Sequence, residues 1–320
     1  MQPLLSFIQK SKRRFLTVVL ILAASFLPYQ LIAQEVATGQ AGKTLVLGKI
    51  STSPHKHLKS LQSMADYLVS HMHDLGYSHG KVLLTPDKQG LARNLRQGKV
   101  DLITETAFST MYLHEAAGAE PILRKWKKGI AEYHSVIFVR KDSGINNLDD
   151  LKGKTIAFED SNSTSAYYLP AYELLMAGLQ LEQLNSPRDK ARANFIGYVF
   201  SKQEINTSVW VHKGRTDAGA LSNIDWQKND HMPESFHADL KIIHHSLPIP
   251  RALESLRNDL PNAVKARIKQ LLLAMDKDPA AYQVLHDYQK TRKFDLLTGQ
   301  TWQDLIDINQ RLNIVDRATQ

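Results

Sequence analysis

The chain has 320 residues, of which 43% are hydrophobic and 22% are charged. This length exceeds one typical domain and the composition supplies real hydrophobic cores, so a largely disordered chain is excluded. There is no cysteine, which excludes disulfide bonds, thiolate zinc sites and cysteine nucleophiles.

The first 33 residues have the layout of a secretory signal peptide. Four cations in residues 10–14 precede an uncharged, mostly apolar run at residues 15–27, and Ala33 offers a small residue at the cleavage point. The run is short for a membrane span, so we expect residues 1–33 to be a signal peptide, with an uncleaved N-terminal anchor as the alternative. Cleavage would lower the formal net charge from +8 to +4. A balance that small gives no indication of nucleic-acid binding.

From residue 44 onward, predicted strands and helices alternate. The first three helices end at Gly76, Gly98 and Gly118. The predicted strands are residues 44–50, 81–85 and 100–104, and the predicted helices are residues 58–75, 89–96 and 108–117. This alternation predicts an α/β fold with a parallel sheet, in which ligands bind beyond the carboxyl ends of the strands.

A second α/β unit follows a strand predicted at residues 133–140. Its strands are predicted at residues 155–158, at 194–199 and after the turn 214–220, and its helices at residues 165–177 and 202–212. A strand at residues 241–245 is predicted to return the chain to the first unit. The sequence therefore predicts a discontinuous lobe 1 of residues 44–135 and 241–320, and an inserted lobe 2 of residues 136–240. Two crossing connections would make a hinged cleft that closes on a ligand.

The leading candidate for a binding site is a run of hydroxyl side chains at the start of a lobe 2 helix. Ser163, Thr164 and Ser165 lie between the strand that ends at Phe158 and the next helix. Hydroxyls and free N–H groups at a helix N-terminus can hold an anion. The same side chains can also act only as a helix cap, so the residue types leave both interpretations open.

Five segments, taken in order, resemble the phosphate/phosphite/phosphonate-type substrate-binding proteins of ABC transporters. They are residues 100–101, 133–137, 149–165 and 214–218, and the turn from Ser246 to Pro250. The resemblance spans nearly the whole chain after the leader. It implies a type II periplasmic-binding-protein fold with two lobes and a hinged cleft. In this family the Ser-Thr-Ser turn grips the oxyanion, which favours ligand contacts for Ser163, Thr164 and Ser165.

The resemblance also implies a function. We expect a periplasmic receptor that binds a small oxyanion, such as phosphate, phosphite or a phosphonate, and delivers it to an ABC permease in the inner membrane. We expect a monomer without a cofactor, a metal site or a nucleic-acid partner. The alternative is a ligand-sensing module that signals to a membrane kinase.

Several positions depart from the family pattern. Glu105 replaces a Tyr-Gly-Pro-like stretch and could pair with a lysine, meet a cationic part of the ligand or face away, since a carboxylate repels a bound dianion. Lys88 stands near a position where a tyrosine is common. Ser201 and Lys202 replace a Gly-Ser-His sequence, and a lysine there can serve an anion as a point charge. Tyr133, at the lobe crossing, either lines the cleft or packs in the hinge.

The expected ligand-binding set is therefore Ser163, Thr164, Ser165, Ser201, Lys202, Tyr133, Glu105 and Lys88. Members of the family that bind aminophosphonates carry an acidic residue just after the Ile-Pro turn. This chain has Arg251 there, which argues against an aminophosphonate ligand.

The sequence supports a metal site or an enzymatic activity less well than it supports a receptor. His71 and His73 are two residues apart, a spacing that does not place them on one helix face, and His244 and His245 point to opposite sides of a strand. No nucleophile elbow, phosphate-binding Gly-rich loop or zinc-protease motif is present. No enzymatic activity is expected, although this type of fold hosts a few enzymes.

Overall fold

The computed structural model describes residues 42–51 and 53–318, so the predicted signal peptide lies outside the described part of the chain. The strands of this part form two six-stranded sheets and one two-stranded ribbon. They are β1 (Lys43–Ile50), β2 (Tyr77–Thr85), β3 (Leu102–Glu105), β4 (Glu120–Lys125), β5 (Glu132–Tyr133), β6 (Ser135–Arg140), β7 (Thr155–Phe158), β8 (Gln180–Gln183), β9 (Phe195–Phe200), β10 (Ala218–Ser222), β11 (Leu240–His245), β12 (Ile249–Pro250), β13 (Leu253–Leu256) and β14 (Phe294–Leu296).

Helices cover both faces of the two large sheets. They are α1 (Pro54–Ser70), α2 (Lys88–Arg96), α3 (Ala107–Ala117), α4 (Leu169–Met176), α5 (Glu204–His212), α6 (Asn223–Trp226), α7 (Asn262–Ala274), α8 (Tyr282–Asp287) and α9 (Gly299–Ala318). None of the described helices combines the length and the apolarity that a membrane crossing requires.

The first sheet has the order β14-β4-β13-β3-β1-β2. Strand β1 pairs in parallel with both β2 and β3, so the carboxyl ends of these strands share one edge. Strands β13, β4 and β14 are antiparallel additions that the sequence analysis did not predict. On one face, α1, α7 and α8 bury a core that includes Leu61, Leu68, Ile268 and Leu285. On the other face, α2 and α3 cover a smaller core.

The second sheet has the order β11-β6-β10-β7-β9-β8. Strand β7 pairs in parallel with β9 and β10, whereas β6 runs antiparallel to β10 and β11. Residues 241–245, predicted to belong to lobe 1, lie in β11, the edge strand of the second sheet. The reason is register: Leu240 to His245 pair with Arg140 to Val136, which extends this sheet by one strand.

The two connections between the large sheets pair with each other. Strand β5 runs antiparallel to β12, with Ile249 opposite Tyr133 and Pro250 opposite Glu132. The strand predicted at residues 133–140 is therefore two strands, because the chain leaves the ribbon at His134 and enters the second sheet at Ser135. Such paired crossings are a natural hinge between two lobes.

A π-helical turn, Thr164–Tyr168, precedes α4. The Tyr168 N–H donates to the Ser163 carbonyl, five residues earlier, at 3.1 Å, whereas an α-helical bond spans four residues. Pro170 has no N–H to donate to the Ala166 carbonyl, which accepts instead from the Glu159 N–H at 3.3 Å. The sequence predicted one continuous α-helix here. Single π-turns are frequent at functional sites.

Candidate ligand-binding site

The Ser-Thr-Ser turn begins the π-helical turn on the lobe 2 side. Ser163 is its N-cap, and the Ser163 hydroxyl accepts a hydrogen bond from Ala166 N–H at 3.2 Å. Thr164 and Ser165 are 2% and 8% exposed. The first N–H groups of a helix have no intrahelical acceptors. The turn therefore combines donors with the positive end of a helix, and Ser163 also acts as a cap.

Thr164 is in contact with lobe 1. Its hydroxyl donates to Thr106 Oγ1 at 3.0 Å and accepts from Phe108 N–H at 3.4 Å. Thr106 is the N-cap of α3, so two helix starts, one from each lobe, meet at this point. The Ser135 hydroxyl donates to the Ser165 carbonyl on the lobe 2 side. The turn consequently lies between the lobes and not on the outer surface.

Tyr133 completes this part of the site. It is 7% exposed, and the side chains of Ser165 and Thr164 are close enough to influence the pKa of its hydroxyl. Burial raises the pKa of Tyr133 to about 12, so the phenol is a neutral donor at pH 7. Its position in β5 places this donor on the hinge itself.

Lys88 makes a second contact between the lobes. Its ammonium donates to the Tyr168 hydroxyl at 2.8 Å and lies 4.8 Å from the ring centroid of Tyr112. The ring of Phe108 stacks on that of Tyr168 with centroids 5.3 Å apart. Lys88 therefore joins α2 of lobe 1 to the π-turn of lobe 2.

Glu105 is turned into lobe 1. Its carboxylate accepts from Ile50 N–H at 2.6 Å and from Lys49 Nζ at 3.3 Å, and the residue is 5% exposed. Of the three alternatives for Glu105, pairing with a lysine is the one that the contacts match. The pairing neutralises the carboxylate that would otherwise repel an anion.

Ser201 and Lys202 lie after β9, and among the described residues neither side chain makes a hydrogen bond to the Ser-Thr-Ser turn. The Ser201 hydroxyl is 2.6 Å from Thr207 Oγ1 and donates to Gln203 C=O at 3.1 Å, which ties down the start of α5. Lys202 has φ +72° and is exposed, with its ammonium 5.5 Å from the ring centroid of Phe200. These contacts favour a structural role for Ser201.

Sequence reasoning missed a group of cations on the lobe 1 side. Lys125 is fully buried and pairs with Glu254 at 3.3 Å, and Lys127 and Arg251 are half-buried nearby. Burial and the adjacent cations Lys49, Lys125 and Arg251 lower the pKa of Lys127 to about 7. No sequence pattern marks this group, because Lys127 lies beyond the end of β4 and Arg251 is remote from it in the sequence.

Carboxylates gather on the lobe 2 side, beyond Ser163. Burial, followed by the nearby Glu204, raises the pKa of Glu159 to about 7, against a hydrogen bond with Ser163 that opposes the rise. Asp225 accepts from Lys228 Nζ at 2.8 Å and lies 2.9 Å from His231 Nδ1. Ligand atoms of Glu204, Asp225 and His231 lie within 4.8 Å of one another. Because Lys228 already neutralises Asp225, we assign this trio no ligand.

Comparison with known proteins places these features in a family. Residues 47–302 match the family described as ABC transporter, phosphonate, periplasmic substrate-binding protein. The chain is 28% identical over 263 residues to the Phosphonates-binding periplasmic protein of Escherichia coli (strain K12), which covers 76% of this chain and 69% of that protein.

Solved structures share the fold. XAC2383 from Xanthomonas citri bound to chloride ion is 35% identical with a TM-score of 0.80, covering 86% of this chain and 99% of that one. Its ATP-bound structure gives 34% identity and a TM-score of 0.79, covering 86% and 98%. PhnD1 from Prochlorococcus marinus (MIT 9301) in complex with methylphosphonate is 20% identical with a TM-score of 0.61, covering 85% and 98%, and this likeness shows the fold alone.

The fold class predicted from the sequence, a two-lobed type II periplasmic-binding fold, is confirmed by these neighbours. The family match extends over most of the chain and includes both lobes and the turn at residues 163–165. The chain is thus a ligand-binding receptor that belongs to the family of phosphonate-type periplasmic substrate-binding proteins of ABC transporters.

Proposed function

We propose that this chain binds a small oxyanion of the phosphonate type between its lobes and delivers it to an ABC permease in the inner membrane. In this proposal the protein is exported by its signal peptide and acts as a monomer in the periplasm. The observation that carries the proposal is the position of Thr164: it begins a helical turn, bears a hydroxyl, and sits where the lobes touch.

The ligand would be held mainly by neutral donors. Hydroxyls and N–H groups of Ser163, Thr164 and Ser165 would surround the anionic oxygens, and the Tyr133 phenol would donate from the hinge. Lys88 would act by joining the lobes, and Glu105 by holding Lys49 in place. The structures of XAC2383 from Xanthomonas citri support an anionic ligand, since chloride and ATP are both anions.

Isothermal titration calorimetry with methylphosphonate, phosphite and phosphate tests the proposal. Thr164→Val and Ser165→Ala should weaken binding by about 10-fold to 100-fold, because each removes a hydrogen bond to a charged group. Thr155→Val is the matched control: its hydroxyl donates to Asp217 at 2.9 Å at the start of β7, the strand end that is remote from Ser163. No heat with any of the three anions would remove the proposed function.

The alternative is that the same receptor signals to a membrane kinase. Ligand chemistry does not separate the two roles, since function belongs to partners as well as to the fold. A bacterial deletion strain separates them: loss of phosphonate uptake supports transport, whereas intact uptake with a lost transcriptional response supports sensing.

A further inference from the structure

Lys127 and Arg251, on the lobe 1 side of the cleft, have no counter-ion in the described part of the chain. Among residues 42–51 and 53–318, the ammonium of Lys127 has no hydrogen-bond or ion-pair partner, and the guanidinium of Arg251 pairs with no carboxylate. Both residues are half-buried. Cations that are partly desolvated without a partner are costly to keep, and groups of this kind concentrate at functional sites.

Neighbouring charges do not neutralise these two side chains. Lys49 is paired with Glu105 at 3.3 Å and Lys125 with Glu254 at 3.3 Å, so each of these carboxylates already has its own lysine. The pKa of Lys127 falls to about 7 because of its burial and because Lys49, Lys125 and Arg251 all repel its charge. The group therefore has an excess of positive charge that an anion would relieve.

The two cations adjoin the site proposed for the phosphonate. Arg251 donates from Nη1 to the Lys127 carbonyl at 3.3 Å, which holds the two residues side by side. The Arg251 guanidinium carbon lies 6.0 Å from the ring centroid of Tyr133, and Thr164 and Ser165 are close enough to influence the pKa of the Tyr133 hydroxyl. The side chain of Tyr133 thus lies between the Ser-Thr-Ser turn and Arg251.

A carboxylate of lobe 2 also acts on this region. Asp225 is close enough to influence the pKa values of both Arg251 and Tyr133. However, Asp225 already accepts hydrogen bonds from Lys228 and Ser222 and lies 2.9 Å from His231 Nδ1. It therefore supplies no free counter-ion for Arg251.

We propose that Lys127 and Arg251 form a subsite for a second anionic group of the ligand, so that the preferred ligand is a phosphonate with an additional carboxylate or phosphoryl group. This inference rests on the proposed function, in which the first anionic group occupies the turn at residues 163–165. A guanidinium binds a carboxylate or phosphoryl group through two parallel hydrogen bonds, and an ammonium adds a point charge. A cationic substituent at the same place would be repelled.

Calorimetry on the mature protein at about pH 7 tests the ranking of four compounds, namely methylphosphonate, phosphonoacetate, methylenediphosphonate and 2-aminoethylphosphonate. We expect phosphonoacetate or methylenediphosphonate to bind at least about tenfold more tightly than methylphosphonate, as charge-assisted hydrogen bonds require. The tighter of the two identifies the second group as a carboxylate or a phosphoryl group. We expect 2-aminoethylphosphonate to bind more weakly than methylphosphonate.

Substitutions then assign the preference to these residues. Lys127→Met and Arg251→Gln should reduce the ratio between the doubly anionic ligand and methylphosphonate to within about threefold. Lys190→Met, an exposed lysine elsewhere on lobe 2, is the control and should keep the wild-type ratio.

The possible failures are distinguishable. If methylphosphonate binds as tightly as both doubly anionic compounds, or if the variants keep the wild-type ratio, the subsite is overturned while the proposed function stands. If no phosphonate binds at all, the proposed function itself fails.

Discussion

Thr106 and Thr164, at the starts of two helices in opposite lobes, share a hydrogen bond of 3.0 Å between their hydroxyl oxygens. The contact joins the N-cap of α3 to the first residue of the π-turn. In a hinged receptor a bond of this kind stabilises the closed form, and ligand affinity depends on the population of that form.

Replacing Thr106 with valine keeps the shape of the side chain and removes its hydroxyl. We expect Thr106→Val to weaken anion binding by about twofold to tenfold, because a net hydrogen bond contributes about 0.5–1.5 kcal/mol. The effect should be smaller than that of Thr164→Val, which also removes a proposed ligand contact. Titration calorimetry measures both, and equal affinities of wild type and Thr106→Val would show that this bond does not contribute to closure.

Lys88 and Tyr168 offer a second test of closure through a double-mutant cycle. The pair combines a 2.8 Å hydrogen bond with an ammonium 5.3 Å from the ring centroid of Tyr168. We expect Lys88→Met and Tyr168→Phe each to weaken ligand binding, with a coupling on the order of 1 kcal/mol in the affinities. Strictly additive effects would mean that the bond between the two groups has no part in binding.

Lys125 and Glu254 form a fully buried ion pair, with both side chains 0% exposed. The Tyr288 hydroxyl also donates to Glu254, at 3.1 Å from Oε2. Lys125→Met leaves the carboxylate buried without its cation and should lower the free energy of unfolding by about 3–5 kcal/mol. The double variant Lys125→Met/Glu254→Gln should recover most of this loss, since the amide still accepts from Tyr288.

Urea unfolding followed by circular dichroism measures these differences. The control is Lys152→Met, which breaks the exposed pair with Asp149 and should change the free energy of unfolding by less than about 1 kcal/mol. If Lys125→Met is as stable as the wild type, the buried pair has no net role in stability.

The parts of the fold that were predictable from the sequence are those with apolar strands. Strand β1 contains the apolar run Leu45–Leu47 and β7 contains the run Ile156–Phe158, and both precede helical segments, so their pattern is clear. Strands β4 and β13 carry Lys125 and Glu254, whose charges indicate a surface position although both are buried as a pair. Only the folded chain brings these partners together, so these strands are not predictable from local sequence.

The candidate site also has a part that was predictable from the sequence and a part that was not. The Ser-Thr-Ser turn was predictable because its elements are consecutive: a strand, a short polar loop and a helix start. The proposed subsite of Lys127 and Arg251 was not predictable, because the two residues are 124 positions apart and are brought together by the pairing of β5 with β12. Ser201 stays a predicted ligand contact, although its hydroxyl lies 2.6 Å from that of Thr207, six residues along the chain.

Glu159 contributes a pH dependence to the free energy of unfolding, and a single substitution can isolate this contribution. Its pKa is about 7 in the folded protein, chiefly because of burial and the nearby Glu204, against 4.5 for an ordinary glutamate. Between these two pH values the folded state binds more protons than the unfolded state, so this group lowers stability as the pH rises from about 4.5 to about 7. Well above pH 7, Glu159 is ionised in both states, and its contribution to stability no longer changes with pH.

Glu159→Gln removes this contribution, because the amide does not ionise. We expect the variant to gain stability relative to the wild type between about pH 5 and about pH 7, as measured by urea unfolding at both values. The matched control is Glu182→Gln, since the hydrogen bonds to Arg192 lower the pKa of Glu182 despite an opposing desolvation. The difference between the control and the wild type should therefore be the same at both pH values. A constant difference for Glu159→Gln as well would show that the Glu159 carboxyl is ionised throughout this range.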